Sequence, residues 1–529
     1  MRIKNSIKNI YISILTQIVI TLLGFISRKV FIDNLGTEYL GINGLLTNIL
    51  SMLSLVEGGI GTSIVYNLYK PLADKDEYRV IALVQLYKKL YGIIAIVIFI
   101  ISLSLYPFLN IFIKDGTSIK YLGVVYFIFV IKNIISYLNA HKWSLINADQ
   151  KAYVLAKYNL VFNIITIISK IVILKVTQDY ILYLLVEILI FVFQNLWNGK
   201  IVNERYPYIR TRKKYKVEKD IKENLITNVK ALFLHNIGSY CVFGTDNILI
   251  STFINIKAVG LYSNYTMIIG QLSALLNPIL NGVSASVGNL IATESDEKIY
   301  NTFNVIYLIN FWIYSFSSIL LFNLLEPFIE WCFGKNLLLN KITFIFILLN
   351  FYITGMRNSI GTFKAKSGIF SQDKYVPLLE SIINLAASII LVRIFGLAGI
   401  FMGTTISTIC LPFWIQAKLV YRNVFNKSVI EYFKKYFFYI ILTLIAGGVT
   451  TLATSCIKQF TGFEELVIKG LICCVIPNFL FILVFYKTEE FRYLIDVIKN
   501  LLNEINITNK IKSSIKKISI TKGNTGGRL

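Results

Sequence analysis

Lys132, Lys170, Glu187, Asp246 and Glu380 lie inside long apolar runs, and Arg28 and Lys29 lie near the end of one. A charge held in such surroundings costs about 2.5–3.5 kcal/mol on insertion scales, so several together need partners or water. Their spacing groups them with uncharged polar residues. Ser13, Gln17, Thr21, Gly24 and Arg28 fall at helical intervals and form one face that ends in a cation. Asn159, Asn163, Thr166 and Lys170 repeat the pattern, again ending in a cation. His235, Ser239 and Asp246 share a further face; Glu380 pairs with Asn384, and Lys132 with Ser136. Helix–helix hydrogen bonding accounts for any single Ser, Thr or Asn, and snorkelling accounts for Arg28 and Lys29 taken alone. A wet cavity accounts for all the stripes at once. An arginine such as Arg28 can hold an oxyanion bidentately, whereas Lys29, Lys132 and Lys170 act as point charges. Gln17, Thr21, Asn159 and Asn163 supply neutral hydrogen bonds. Glu57, Glu187, His235, Asp246 and Glu380 are coupling or ion-pair candidates, with H+ or Na+ as the coupling ion and no other cofactor expected.

The stretch SLVEGGIGTSIV, Ser54–Val65, places a glutamate among glycines within an apolar run. Clustered glycines weaken or kink a helix. Gly58, Gly59 and Gly61 therefore predict a bendable segment, and Glu57 a carboxylate facing a lumen, with Arg28 as a partner while the site is empty.

The elements that must carry these residues follow from composition. Of 529 residues, 55% are hydrophobic and 16% charged, and the mean hydropathy is +0.64. Soluble domains carry about 25% charged residues. A helix needs roughly 20 apolar residues to cross a bilayer. Fourteen runs of that kind occur, near 10–30, 42–66, 90–113, 121–140, 153–175, 180–198, 230–253, 260–290, 303–325, 342–362, 376–394, 398–418, 432–454 and 467–486. Backbone in lipid must satisfy its own hydrogen bonds, so these runs predict an all-α polytopic membrane protein. The net charge of +24 does not indicate nucleic acid: with the amino terminus inside, 40 of 53 Lys and Arg fall on the cytoplasmic side. That distribution sets orientation, with both termini cytoplasmic. No cleavage site follows the first run before Arg28, so it reads as an uncleaved anchor. The six cysteines show no CxxC spacing and predict neither disulfides nor a metal site.

A basic loop between the sixth and seventh runs divides the chain. The expected organisation is a six-helix lobe over 1–198, a basic cytoplasmic linker over 199–229, a second six-helix lobe over 230–420, a final helix pair over 421–486, and an amphipathic basic tail over 487–529. The lobes read as copies. GINGLLTNIL at Gly41 aligns with GLYSNYTMII at Gly260, an offset of 219, and DQKAYV ending at Val154 aligns with SQDKYV ending at Val376, an offset of 222. Such pseudo-symmetric parallel repeats are a transporter architecture with the site between the halves.

The run RKVFIDNLGTEYLGINGLLTNILSMLSLVEGGIGTSIVYNLYKPLADKD from Arg28 resembles the opening of bacterial polysaccharide flippases of the multidrug/oligosaccharidyl-lipid/polysaccharide exporter superfamily. The Leu-Gly…Tyr-Leu-Gly…Asn-Gly pattern and Gly-Ile-Gly-Thr before Tyr-Lys-Pro-Leu carry the resemblance. It implies a flippase of the bacterial plasma membrane that moves oligosaccharide linked through pyrophosphate to undecaprenol from the inner to the outer leaflet. Polysaccharide polymerases and glycosyltransferases would be its partners. The resemblance also implies cavity arginines on the pyrophosphate. Arg28 fits that role, whereas the second helix offers Glu57 instead. Two alternatives are a cation-coupled multidrug exporter of the same superfamily, which would have carboxylates dominating its cavity, and a membrane polymerase or glycosyltransferase, which would need longer outer loops.

Overall fold

The computed structural model describes residues 2–57, 60–113, 121–219, 223, 244–369, 372–457, 462–496 and 499. Every regular element among them is helical. In chain order the main helices are α1 Arg2–Leu53, α2 Ile60–Ala73, α3 Glu77–Leu105, α4 Leu122–Leu138, α5 Ala140–Ala148, α6 Tyr153–Thr177, α7 Tyr180–Arg205 and α8 Ile256–Thr293. They continue with α9 Asp296–Phe333, α10 Lys341–Met356, α11 Asn358–Lys366, α12 Val376–Phe395, α13 Leu397–Cys410, α14 Pro412–Val420, α15 Ile430–Ser455 and α16 Phe463–Phe485.

Eight described helical stretches are long and apolar enough to cross a membrane, nine if the bent pair α4–α5 counts as one span. The protein is thus a multi-pass membrane protein. Several of the apolar runs are carried by broken or shorter helices. The first run and the start of the second both fall within α1, on either side of a break at Gly36, and the run 342–362 divides between α10 and α11. The run 230–253 falls largely outside the described residues.

Local signals explain the element ends. Asp76 caps α3 by accepting from the Arg79 amide at 3.0 Å, and Asp179 caps α7 by accepting from Ile181 and Leu182 at 2.7 and 3.0 Å. Within α1, Gly36 has φ 82°, a backbone conformation open to glycine at little cost. The helix therefore kinks there. α6 shows how membrane helices sort their faces. Val161, Ile165, Ile168, Val172 and Val176 form an exposed apolar stripe fit for acyl chains, and the polar stripe of Asn159 and Lys170 lies on other faces.

The described chain forms two compact units. The first comprises 1–282, 324–351 and 369–418; the second comprises 283–323, 352–368 and 419–529. In the first unit α1 packs on α6, α6 on α7, and α4 on both α3 and α7. The second unit is built on aromatic residues one turn apart. On α9, Phe303 stacks near Tyr307 with centroids 5.6 Å apart, and Phe311 lies 4.2 Å from Tyr439 of α15. Tyr307 also stacks on Tyr432 at 5.1 Å, and Phe311 meets Phe481 of α16 at 5.1 Å. Each such pair adds about 0.5–1.5 kcal/mol beyond burial. Two polar pairs cross this core: Trp312 Nε1 donates to Asn478 at 2.6 Å, and Thr454 to Asn323 at 2.9 Å.

Candidate functional site

Three charged residues predicted from separate stripes meet in the first unit. Lys132 of α4 and Lys170 of α6 each donate to Glu187 of α7, one to Oε1 and the other to Oε2. Lys170 Nζ also sits 4.2 Å above the Tyr183 ring, a cation–π contact. The arrangement follows from helix geometry. Tyr183 and Glu187 are one turn apart on α7, and α7 packs against both α4 and α6. These groups line a cavity of about 300 Å³ together with Arg28, Asn43 and Thr47. Its charged lining is Arg28, Lys132, Lys170 and Glu187, a formal charge of +2 from three cations and one anion. Lys170 and Glu187 are mostly buried, with side chains 16% and 19% exposed, whereas Lys132 is 37% exposed. Such a cavity attracts anions, and an anion of two charges neutralises it.

Arg28 is only partly engaged. One terminal nitrogen donates to the Ser263 carbonyl at 2.6 Å and to Ser263 Oγ at 3.1 Å. Its Nε is buried without a partner among the described residues. A guanidinium offers five donors in a rigid fork, so Arg28 retains capacity for a ligand at the cavity wall.

The contact to Ser263 belongs to a reciprocal seam. At the offset of 219 that aligns Gly41 with Gly260, Thr37 corresponds to Ile256, Gly44 to Ser263, and Arg28 to Asn247. A Cβ on Gly41 would lie 2.0 Å from the Ile256 carbonyl oxygen, and one on Gly260 would lie 2.0 Å from the Thr37 carbonyl oxygen. Only glycine permits that approach. Arg28 donates to the carbonyl of Ser263, and Asn247 donates to the carbonyl of Gly44 at 3.3 Å. The chain breaks obey the same offset. Gly36 interrupts α1, and its counterpart Asn255 is extended between Ile254 and α8, capping Ala258 at 2.8 Å. Two copies of one segment thus cross about a local twofold axis.

The other predicted residues that the structure describes are not among the cavity's lining residues. Lys29 pairs with Asp33 at 3.1 Å and donates to the Phe333 carbonyl at 3.2 Å. Gln17 and Thr21 both donate to Gln271 of α8, at 2.5 and 2.7 Å. Asn159 accepts from Gln194 and Asn198. Asn163 is half-buried on α6 and is not among the cavity's lining residues. Glu57 closes a 3-10 turn over Ser54–Glu57 and accepts from Tyr91 at 3.3 Å. Its pairing with Arg28 is not formed: the turn carries the carboxylate to α3, while Arg28 reaches Ser263. Gly61 lies against the same carboxylate, since a Cβ there would approach Glu57 Oε1 to 2.7 Å. Asp246 is buried, and its Oδ1 has no partner among the described residues. Glu380 accepts from Thr408 at 3.2 Å, beside an Asn384–Thr404 hydrogen bond of 3.0 Å. His235, Gly58 and Gly59 lie outside the described residues.

Sequence reasoning missed Tyr183, Ser263 and Gln271, and it stopped the α7 stripe at Glu187. The signal was present. Gln194 and Asn198 continue that stripe at intervals of seven and four.

No family model matches this sequence, and no curated protein matches it. Solved structures do. The chain is similar to the lipid II flippase MurJ in an inward closed conformation, with a TM-score of 0.63 and 16% identity over 89% of this chain and 98% of that one. It is similar to an inward-facing multidrug resistance MATE family transporter of the MOP superfamily, with a TM-score of 0.57 and 12% identity over 77% and 98%. It is also similar to the MATE multidrug transporter DinF-BH, with a TM-score of 0.56 and 16% identity over 80% and 97%. At these identities the likeness is one of fold. The chain shares the all-α fold of these flippase and transporter structures.

Proposed function

We propose that this chain, built on the MOP superfamily fold, is a flippase for oligosaccharide linked through pyrophosphate to undecaprenol. One observation supports the reading above the rest: the first unit holds a cavity with three cations against one carboxylate, and its two lysines share that carboxylate. A sugar headgroup on a diphosphate cannot cross hydrocarbon unaided, although its polyprenyl chain can stay in the bilayer. Lys132, Lys170 and Arg28 take the diphosphate in this reading, and Glu187 holds the lysines in place when the site is empty. Charge-assisted bonds of this kind are roughly twice as strong as neutral ones. Two six-helix lobes, 1–198 and 230–420, rock about the site, joined by the linker 199–229 and accompanied by the pair 421–486 and the tail 487–529. The protein sits in the bacterial plasma membrane with both termini cytoplasmic. Glycosyltransferases supply its substrate on the inner face and a polysaccharide polymerase consumes it outside. Asp246, Glu380, His235 and Glu57 are the groups through which H+ or Na+ would couple.

A cation-coupled multidrug exporter is the second reading, favoured by Asp246, a buried carboxylate whose Oδ1 has no partner among the described residues. Depletion of the protein in its host separates the two. The flippase reading expects lipid-linked repeat units to accumulate on the inner leaflet with unchanged efflux of cationic dyes. Loss of dye efflux with normal surface polysaccharide would overturn it.

A further inference from the structure

The helices that carry the cationic cavity also build a second one. α4, α6 and α7, with the short α5, enclose about 370 Å³, within the roughly 300–1,000 Å³ of small-molecule sites. Among the described residues, no Lys, Arg, Asp or Glu lines it. Its polar lining consists chiefly of amides, Asn147, Asn159, Gln194, Asn195 and Asn198, beside the indole of Trp143.

The amides hold one another in fixed orientations. Asn159 Oδ1 accepts from Gln194 Nε2 at 2.9 Å and from Asn198 Nδ2 at 2.7 Å. Asn195 Oδ1 accepts from Asn139. These bonds leave Asn198 Oδ1 without a partner among the described residues, although Asn198 is only 5% exposed. A polar zipper serving packing alone would close over its amides. Here Asn198, a lining residue, keeps a buried carbonyl with no partner among the described residues, so a ligand hydroxyl that meets it as the side chain turns recovers a hydrogen bond that the empty protein lacks.

We infer that this amide cavity is the subsite for the sugar joined to the lipid diphosphate, an inference that rests on the cationic cavity binding that diphosphate. A glycosyl unit presents hydroxyls that donate and accept, and an apolar ring face. Oriented amides and an indole match both features, and a neutral sugar needs no charge. The spacing suits the ligand. Glu187 and Gln194 lie seven residues apart on α7, two turns or about 10 Å, and Ser136 of this cavity follows Lys132 by one turn on α4. A diphosphate held at Lys132 and Lys170 therefore delivers its first sugar toward Asn198 and Trp143.

The test uses the full-length protein in detergent with two probes: bare polyprenyl diphosphate, and polyprenyl diphosphate bearing one N-acetylhexosamine. The wild type is expected to bind the sugar-bearing probe about tenfold more tightly, the yield of one or two net hydrogen bonds. Asn198→Leu and, separately, Trp143→Leu should lose that increment and keep their affinity for the bare probe. Thermal melting shows which variants remain folded, and either one alone decides the matter. An increment that survives in a folded variant, or one missing from the wild type, would overturn the subsite while leaving the anion site standing. A bare probe that binds wild type and Lys170→Ala equally would instead remove the anion site on which the inference rests.

Discussion

Residues 28–44 and 247–263 make the same backbone contacts at the seam with different side chains. Gly41 and Gly260 each admit the other copy's carbonyl, and Arg28 and Asn247 each donate to the other copy's backbone. The glycines match because close approach requires them in both copies. The donors do not match: one is a guanidinium and the other a neutral amide. Only the first copy places a cation at the wall of a cavity that already holds Lys132 and Lys170. What repeats is packing, and what departs from the repeat is chemistry. The second unit makes the same point by contrast. Its Tyr–Phe ladder along α9 and α15 fills the core with stacked rings instead of charged groups.

Changing the seam glycines gives the largest effect. Gly41→Val and Gly260→Val each drive a side chain into a backbone carbonyl and should cost about 3 kcal/mol or more. Melting in detergent should fall by similar amounts for the two, and tolerance of one alone would break the reciprocity. Glu187→Gln comes next. It leaves two lysines without their carboxylate, at a cost of about 2 kcal/mol, below the 3–5 kcal/mol of a fully buried pair because Lys132 is partly exposed. Polyprenyl diphosphate should restore the lost melting temperature, and failure to do so would argue that the lysines do not meet the ligand. Arg28→Asn makes the copies alike. It removes the bonds to Ser263 and should lower the melting temperature less than Glu187→Gln does. It should also weaken polyprenyl diphosphate binding about tenfold or more, since a bond to a charged group is worth about 1.5–3 kcal/mol. Undiminished affinity in this variant would assign Arg28 to packing alone. Asn247→Ala should do least. It removes one neutral bond of about 1 kcal/mol and should leave binding unchanged.

The fold was legible because hydrocarbon imposes length and polarity on every span. The lipid-facing stripe of α6 and the polar stripe through Asn159 and Lys170 both follow from helical spacing. The seam was half legible: the offset at Gly41 and Gly260 could be read, but not the contact between those glycines. Lys132, Lys170 and Glu187 were each visible as charges within apolar runs. Their meeting was not, because it depends on how three helices rotate about their axes, and a single sequence does not encode rotation locally. Glu57 shows the cost of that gap. Its turn toward Tyr91 depends on a 3-10 break whose direction glycines permit without specifying. Gln194 and Asn198 were overlooked for a simpler reason, since neutral amides stand out less than charges do.

The leaflet-transfer rate of polyprenyl diphosphate-linked sugar, measured in liposomes reconstituted with wild type or with Lys132→Ala/Lys170→Ala, bears on this account most directly. Rapid transfer by the wild type and transfer at the protein-free rate by a folded double variant is the expected result. Equal transfer by both proteins would show that a phosphorylated headgroup crosses without these lysines, and the cationic cavity would lose its role.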